Sequence, residues 1–167
     1  GRLEGAKAVV VKGTAGETKV DTKNVILATG SRPKSLPGIA PDGKTILTSD
    51  EILQLKEIPK SLIVIGAGAV GMEFASMFAR FGSTVTVIEM LPRILPLEDE
   101  EISAEAHKLL AKQMTIHVGA RTEAALKTTS GVEVGFRTAM GESQTVTAEL
   151  LLLAVGRGPV TDGLNLE

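Results

Sequence analysis

Residues 61–71 read SLIVIGAGAVG, and the acid that closes the next apolar stretch, Glu89, lies 18 positions beyond Gly71. Residues 61–65 form an almost wholly apolar run, the pattern of a strand buried on both faces of a sheet. Gly66, Gly68 and Gly71 then stand at Gly-x-Gly-x-x-Gly spacing, with Ala67, Ala69 and Val70 between them. After them Val70, Phe74, Met77, Phe78 and Phe81 recur at helical spacing, and Gly82 supplies a stop. A second buried strand, 84–88, leads to Glu89. Strand, glycine turn, helix, strand and acid are together the context that a dinucleotide-binding fingerprint requires. Gly66 permits the tight turn, Gly68 lets the backbone approach a pyrophosphate, and Gly71 lets the helix lie close to the sheet. Free N–H groups and the helix dipole hold the phosphates. Glu89 can accept hydrogen bonds from ribose hydroxyls and would leave a 2′-phosphate badly paired, which selects NAD over NADP. The nearest basic residue downstream is Arg93, and no arginine pair stands where a 2′-phosphate would need it.

Composition removes several other classes. The 167 residues carry a formal charge of -2 and 2% aromatic residues, so neither a basic surface nor base-stacking platforms point to nucleic acid. No apolar run approaches the ~20 residues of a membrane span, so no membrane partner is expected. The absence of cysteine excludes disulfides, thiolate zinc sites and thiol redox chemistry by this stretch itself, and fits a cytoplasmic setting. The chain opens on Gly1 and stops after a pattern ready to continue, so it reads as a segment of a longer protein.

Outward from the fingerprint, residues 6–12, 18–21 and 24–28 read as a β-meander, and the Pro- and Gly-rich stretch 31–44 reads as a connector. A short helix is expected from Ser49, ending by Pro59. Residues 102–114 predict a second helix behind the acidic run 98–101; 115–147 predict a second meander; 150–155 predict a final buried strand. The expected architecture is α/β: a Rossmann-like parallel sheet flanked by helices with an inserted antiparallel meander. NVILATGSRP at 24–33 and ELLLLAVGRGP at 149–159 echo each other. Either buried strands simply resemble one another, or two dinucleotide folds close with the same kind of strand.

Other polar residues are less decisive. Glu73 could contact the nicotinamide end of the cofactor or merely favour the helix dipole. His107 and His117 lack a matching acid or nucleophile and read as ordinary helix and strand residues. The acidic run 98–101 reads as a solvated helix start rather than a metal site.

The segments ILATGSRP, SLIVIGAGAVGMEFA, VTVIEMLPRILP and LLLLAVGRGP resemble, in content and order, the two-dinucleotide flavoprotein disulfide reductases. LPRILPLEDEEIS most resembles their lipoamide dehydrogenase branch. The resemblance implies an oxidoreductase that oxidises dihydrolipoyl groups on proteins of 2-oxoacid dehydrogenase complexes. Electrons would pass through a redox-active disulfide and FAD to NAD in a homodimeric parent. It implies NAD contacts at Gly66, Gly68, Gly71, Glu89, Gly156 and Glu73, and places Thr29 and Gly30 at the strand end closing the FAD fold. It further implies residues 1–30 as the tail of an FAD domain, 31–59 as a connector, 60–157 as the NAD domain and 158–167 as the return to the FAD domain. No flavin fingerprint, cysteine pair or catalytic residue is present, so the chain alone is expected to bind NAD without catalysis. The sequence around Gln113-Met114-Thr115 departs from the family pattern, and no roles are carried over from there to Ala124. A mercuric or glutathione-type reductase, or a stand-alone NAD-binding module, are the competing readings.

Overall fold

The computed structural model describes residues 1–166; Glu167, the end of the expected return segment, lies outside the described residues. The chain divides into two compact units, 1–32 with the stretch from Arg157 onward, and 33–156.

In the first unit β1 (Arg2–Leu3), β2 (Ala8–Gly13) and β3 (Gly16–Asp21) form an antiparallel sheet in that order. Gly13 pairs with Gly16 across a two-residue turn. Arg2 with Glu17 and Lys19 with Glu4 add exposed ion pairs to it. Then the structure departs from the sequence expectation. Residues 24–28 are not a strand, and Ile26 is 90% exposed. An apolar strand of this kind needs sheet neighbours and cover on both faces, and no described residue pairs with it. Instead β4 (Ser31–Pro33) pairs with the last strand, Arg157–Pro159, which becomes β13 in chain order. The Arg157 guanidinium donates to Ser31 Oγ and Ser31 O, each at 2.8 Å.

The second unit begins with β5 (Ile46–Leu47) and a one-turn helix, α1 (Ser49–Ile52). The helix begins at Ser49, as expected, and its cap is Thr48. Thr48 and Glu51 form a reciprocal capping box. There follow β6 (Ser61–Ile65), α2 (Ala69–Arg80), β7 (Thr84–Ile88), α3 (Glu100–Leu110), β8 (Thr115–His117), a meander of β9 (Arg121–Thr128), β10 (Gly131–Arg137) and β11 (Ser143–Ala148), and finally β12 (Leu150–Leu153). The sheet runs β5-β12-β6-β7-β8, parallel throughout. This is the Rossmann-like α/β arrangement that the sequence implies.

Three details correct the sequence reading. Residues 115–117 join the parallel sheet beside β7 rather than opening the meander, because Thr86, Val87 and Ile88 offer them an unpaired edge. Just beyond the Pro- and Gly-rich stretch 31–44, residues 46–47 form β5, a strand the sequence reading did not include, which pairs with β12. On α2 the buried face is Gly71, Met72, Ala75 and Phe78, whereas Val70, Met77 and Phe81 are exposed. Gly71 and Ala75 let the helix lie close to the sheet, with Met72 and Phe78 filling the space beside them.

Both sheet faces are dry, in accord with the unbroken apolar strands. Leu62, Val64, Val85 and Val87 pack against Met72, Ala75 and Phe78 of α2, with Ala106 and Leu110 of α3 beside them. Their neighbours Ile63, Ile65, Leu151 and Leu153 point the other way, onto Val132, Val134 and Phe136 of the meander. The two longer helices therefore share one face, and the meander covers the other.

Asp42 ties the loop before β5 to this meander. Its Oδ1 accepts from the backbone N–H groups of Lys44, Thr45 and Ile46 at 2.8–2.9 Å, and its Oδ2 from Lys127 Nζ at 3.0 Å. Burial alone would raise its pKa, but the three N–H donors and the ammonium outweigh it and hold the carboxyl well below the usual range. With the folded-state pKa depressed, the stabilisation is complete above about pH 4 and is lost as pH falls further. Asp42→Ala should cost roughly 0.5–2 kcal/mol at neutral pH, as loss of a comparable cap does. In urea melts the gap between variant and parent should narrow below about pH 4; a gap independent of pH would refute the assignment.

Candidate functional site

The carboxyl ends of β6, β7 and β12 meet where the strand order reverses, the place where open α/β sheets form crevices. Gly66 turns the chain there at φ +102°, and an added Cβ would lie 2.5 Å from Ala154 O. That combination of left-handed backbone and no space admits glycine alone. Ala67 is wholly buried beneath the turn. Gly68 is the N-cap of α2 and has no side chain to cap it, so the first-turn N–H groups are left without a side-chain cap. A Cβ at Gly68 would meet nothing within 4 Å; one at Gly71 would overlap Gly66 O and sit 3.3 Å from Ala154 Cβ. The two glycines thus serve different ends, open approach at one and close packing at the other.

Glu89 is only 8% exposed, yet no cation pairs with it among the described residues. Its two carboxylate oxygens accept from Ala67 N at 2.6 Å and Leu91 N at 2.7 Å. Each oxygen keeps further acceptor capacity. One side chain therefore fastens the glycine turn to the end of β7 and presents its remaining lone pairs beside that turn.

A cleft of about 1120 Å³ opens over these groups, lined by Gly66, Gly68, Glu89, Arg121, Ala154 and Gly156 among others. Ala69 and Val70 lie on its wall. Not every residue singled out from sequence lies there. Glu73 is exposed and lines a separate, shallower apolar groove of about 730 Å³ along α2, with Met72, Met77 and Phe81. Gly71 is buried beneath the first turn. Thr29 and Gly30 belong to the first unit, where Thr29 Oγ1 donates to Val160 O and Gly30 O accepts from Val160 N.

The remaining candidates have structural work. Asp99 caps α3 by accepting from Glu101 N. Among the described residues no three acids or histidines gather as metal ligands. His117 lies against Phe136 with ring centroids 4.8 Å apart, and burial lowers its pKa. Arg93 donates to Pro96 O and pairs with Glu100 at 2.9 Å, bracing the loop before α3. Two contributors escaped the sequence reading. Ala154 follows an ordinary apolar strand, and Arg121 carries no local motif.

A family model described as pyridine nucleotide-disulphide oxidoreductase matches residues 2–167. The chain belongs to that family. Among curated relatives, it is 42% identical over 167 residues to a dihydrolipoyl dehydrogenase of Chlorobaculum tepidum, a match covering 99% of this chain and 36% of the relative. It is 44% identical over 170 residues to dihydrolipoyl dehydrogenase 3 of Pseudomonas putida, covering 100% and 36%. The crystal structure of LpdA from Mycobacterium tuberculosis superposes with a TM-score of 0.80 at 27% identity, over 98% of this chain and 36% of that one. The Cu(II) complex of the HOCl-induced flavoprotein disulfide reductase RclA from Escherichia coli gives 0.76 at 30% identity, over 98% and 36%. The chain thus spans about a third of these relatives' length. The resemblance read from the segments around 26–33, 61–75, 85–96 and 150–159 is borne out at the level of family and fold.

Valine at the two glycines should separate their functions. Gly71→Val must push α2 off the Gly66 turn, and overpacking of this kind typically costs about 1–3 kcal/mol; its thermal midpoint should fall. Gly68→Val should melt like the parent, because its side chain enters open space, but that side chain would occupy the cleft and is expected to abolish dinucleotide affinity there. Circular dichroism melts alongside NAD titrations check both, and equal melting of the two variants would contradict the geometry.

Proposed function

We propose that this chain is the NAD-binding portion of a cytoplasmic dihydrolipoyl dehydrogenase. On this reading the parent is a homodimer that oxidises dihydrolipoyl groups on 2-oxoacid dehydrogenase complexes through a disulfide and FAD. The observation that carries the NAD assignment is the buried Glu89 carboxylate, hydrogen-bonded to Ala67 N beside the uncapped start of α2. Gly66, Ala67, Gly68, Ala69, Val70 and Gly71 would shape the pyrophosphate cradle, and the open face at Gly68 fits a phosphate where a Cβ would stand. Glu89 would take the adenosine ribose hydroxyls, and Gly156 would border the cleft opposite. Glu73, which lines the groove along α2, would serve the nicotinamide end from beyond the cleft lining.

When bound, NAD supplies a hydride acceptor. The chain's own residues bind it and orient it, and the Glu89 carboxylate would hold the ribose end by accepting hydrogen bonds from its hydroxyls. Arg93 does not line the cleft, and the Glu89 carboxylate would leave a 2′-phosphate badly paired, which favours NAD over NADP. Residues 1–30 and 158–167 would belong to the FAD domain of the parent, with Thr29 and Gly30 at its closing strand. The redox disulfide of this reading would lie in the parent outside this cysteine-free stretch.

Hydrogen bonds to a charged acceptor contribute about 1.5–3 kcal/mol, so Glu89→Ala should weaken NAD about tenfold or more. Because Glu89 also holds Ala67 N and Leu91 N, the variant loosens the turn that both dinucleotides use. The ratio of NAD to NADP affinity cancels that effect and should fall in calorimetric titration. A ratio near one in the unmutated protein would reject Glu89 as the selector. The chain alone should also show no dihydrolipoamide-dependent NADH formation; measurable turnover would contradict the proposed division of labour.

A further inference from the structure

Arg121 is the one cation among the described residues lining the cleft, and no step above uses it. It is exposed and makes no ion pair among the described residues, at the first position of β9. The pairing of β9 with β10 sets it directly opposite Arg137, and like charges facing each other across a sheet are destabilising. The nearby acid does not relieve this, because Glu123 is taken by Arg137 Nε at 3.0 Å. Glu89, the other carboxylate lining the cleft, makes no ion pair with Arg121 among the described residues; its hydrogen-bond partners are Ala67 N and Leu91 N. The fold thus keeps a guanidinium without an ion-pair partner among the described residues at the cleft rim, opposite a second arginine.

Its place along the cleft is set by the backbone. Gly119 N donates to Leu91 O and Ala120 N to Glu89 O, each at 2.8 Å, so 119–120 runs alongside 89–91. The Glu89 carboxylate reaches back from there to Ala67 in the glycine turn. The order along the cleft is therefore glycine turn, Glu89, Arg121. A dinucleotide with its pyrophosphate on the turn and its ribose on Glu89 presents its planar base beyond the ribose, on the Arg121 side. Guanidinium is planar and weakly hydrated, and it stacks on aromatic faces. Met90, 66% exposed, adds a polarizable thioether to the same rim.

We propose that Arg121 lays its guanidinium against the face of the adenine, making the first residue of β9 a base-positioning contact. This rests on the NAD reading above. The test is calorimetric titration of the protein and its Arg121→Ala and Arg121→Lys variants with AMP, nicotinamide mononucleotide and NAD. Arg121→Ala should lose about three- to tenfold in affinity for AMP and NAD alike, with nicotinamide mononucleotide unchanged and the thermal midpoint unchanged or raised. Arg121→Lys should lose nearly as much, since an ammonium keeps the charge without the plane. AMP binding unaltered in Arg121→Ala, or fully restored in Arg121→Lys, would overturn the stacking contact while leaving the NAD reading intact. Failure of the unmutated protein to bind either AMP or NAD would sink the NAD reading itself.

Discussion

The first turn of α2 rests on the carbonyl of Gly66 with no room for a methyl group between them, and Ala154 closes the space from β12. The placement of the helix start over the cleft follows from that contact. It brings the start of the helix to the carboxyl ends of the strands, where the dipole and free N–H groups can act at short range. It also requires a small residue from a strand more than 80 positions away. Interiors are too densely packed to absorb an added atom at such a junction without moving one of the two elements.

Glu89 couples this junction to the cleft. A buried carboxylate without hydrogen bonds would be costly, and the donors from Ala67 and Leu91 remove that cost while orienting the group. The arrangement links shape to selectivity: the side chain proposed to read the ribose is the same one that holds the turn in place. Loss of the carboxylate therefore disturbs two things at once, and affinities measured for a single dinucleotide would not separate them.

The meander has a role in the site that its distance from the fingerprint in sequence conceals. By covering the sheet face opposite the helices with Val132, Val134 and Phe136, it dries the strands whose ends build the cleft. The start of β9 then falls beside the 89–91 segment and lends Arg121 to the rim. In the first unit, by contrast, the apolar residues 26 and 27 lie exposed outside any strand. In the proposed parent they would find their sheet neighbours in the FAD domain.

The sequence by itself determined the strand-turn-helix at 61–80, the glycine spacing, the acid at 89, the parallel α/β class and the family. All of these depend on local backbone geometry and on patterns a few residues long. It misassigned what depends on distant partners. Residues 24–28 have the composition of a buried strand but no strand to pair with, and 115–117 look like a meander until the free edge of β7 claims them. The apolar stripe on α2 was visible, but which side of it faces the sheet was decided by the closeness that Gly71 and Ala75 allow. Arg121 shows no signal in its own neighbourhood, because its proximity to Glu89 arises only when the chain returns beside β7. Local propensity is written within a few consecutive residues, whereas burial, register and the company a side chain keeps are properties of the packed molecule, and only tertiary structure decided them.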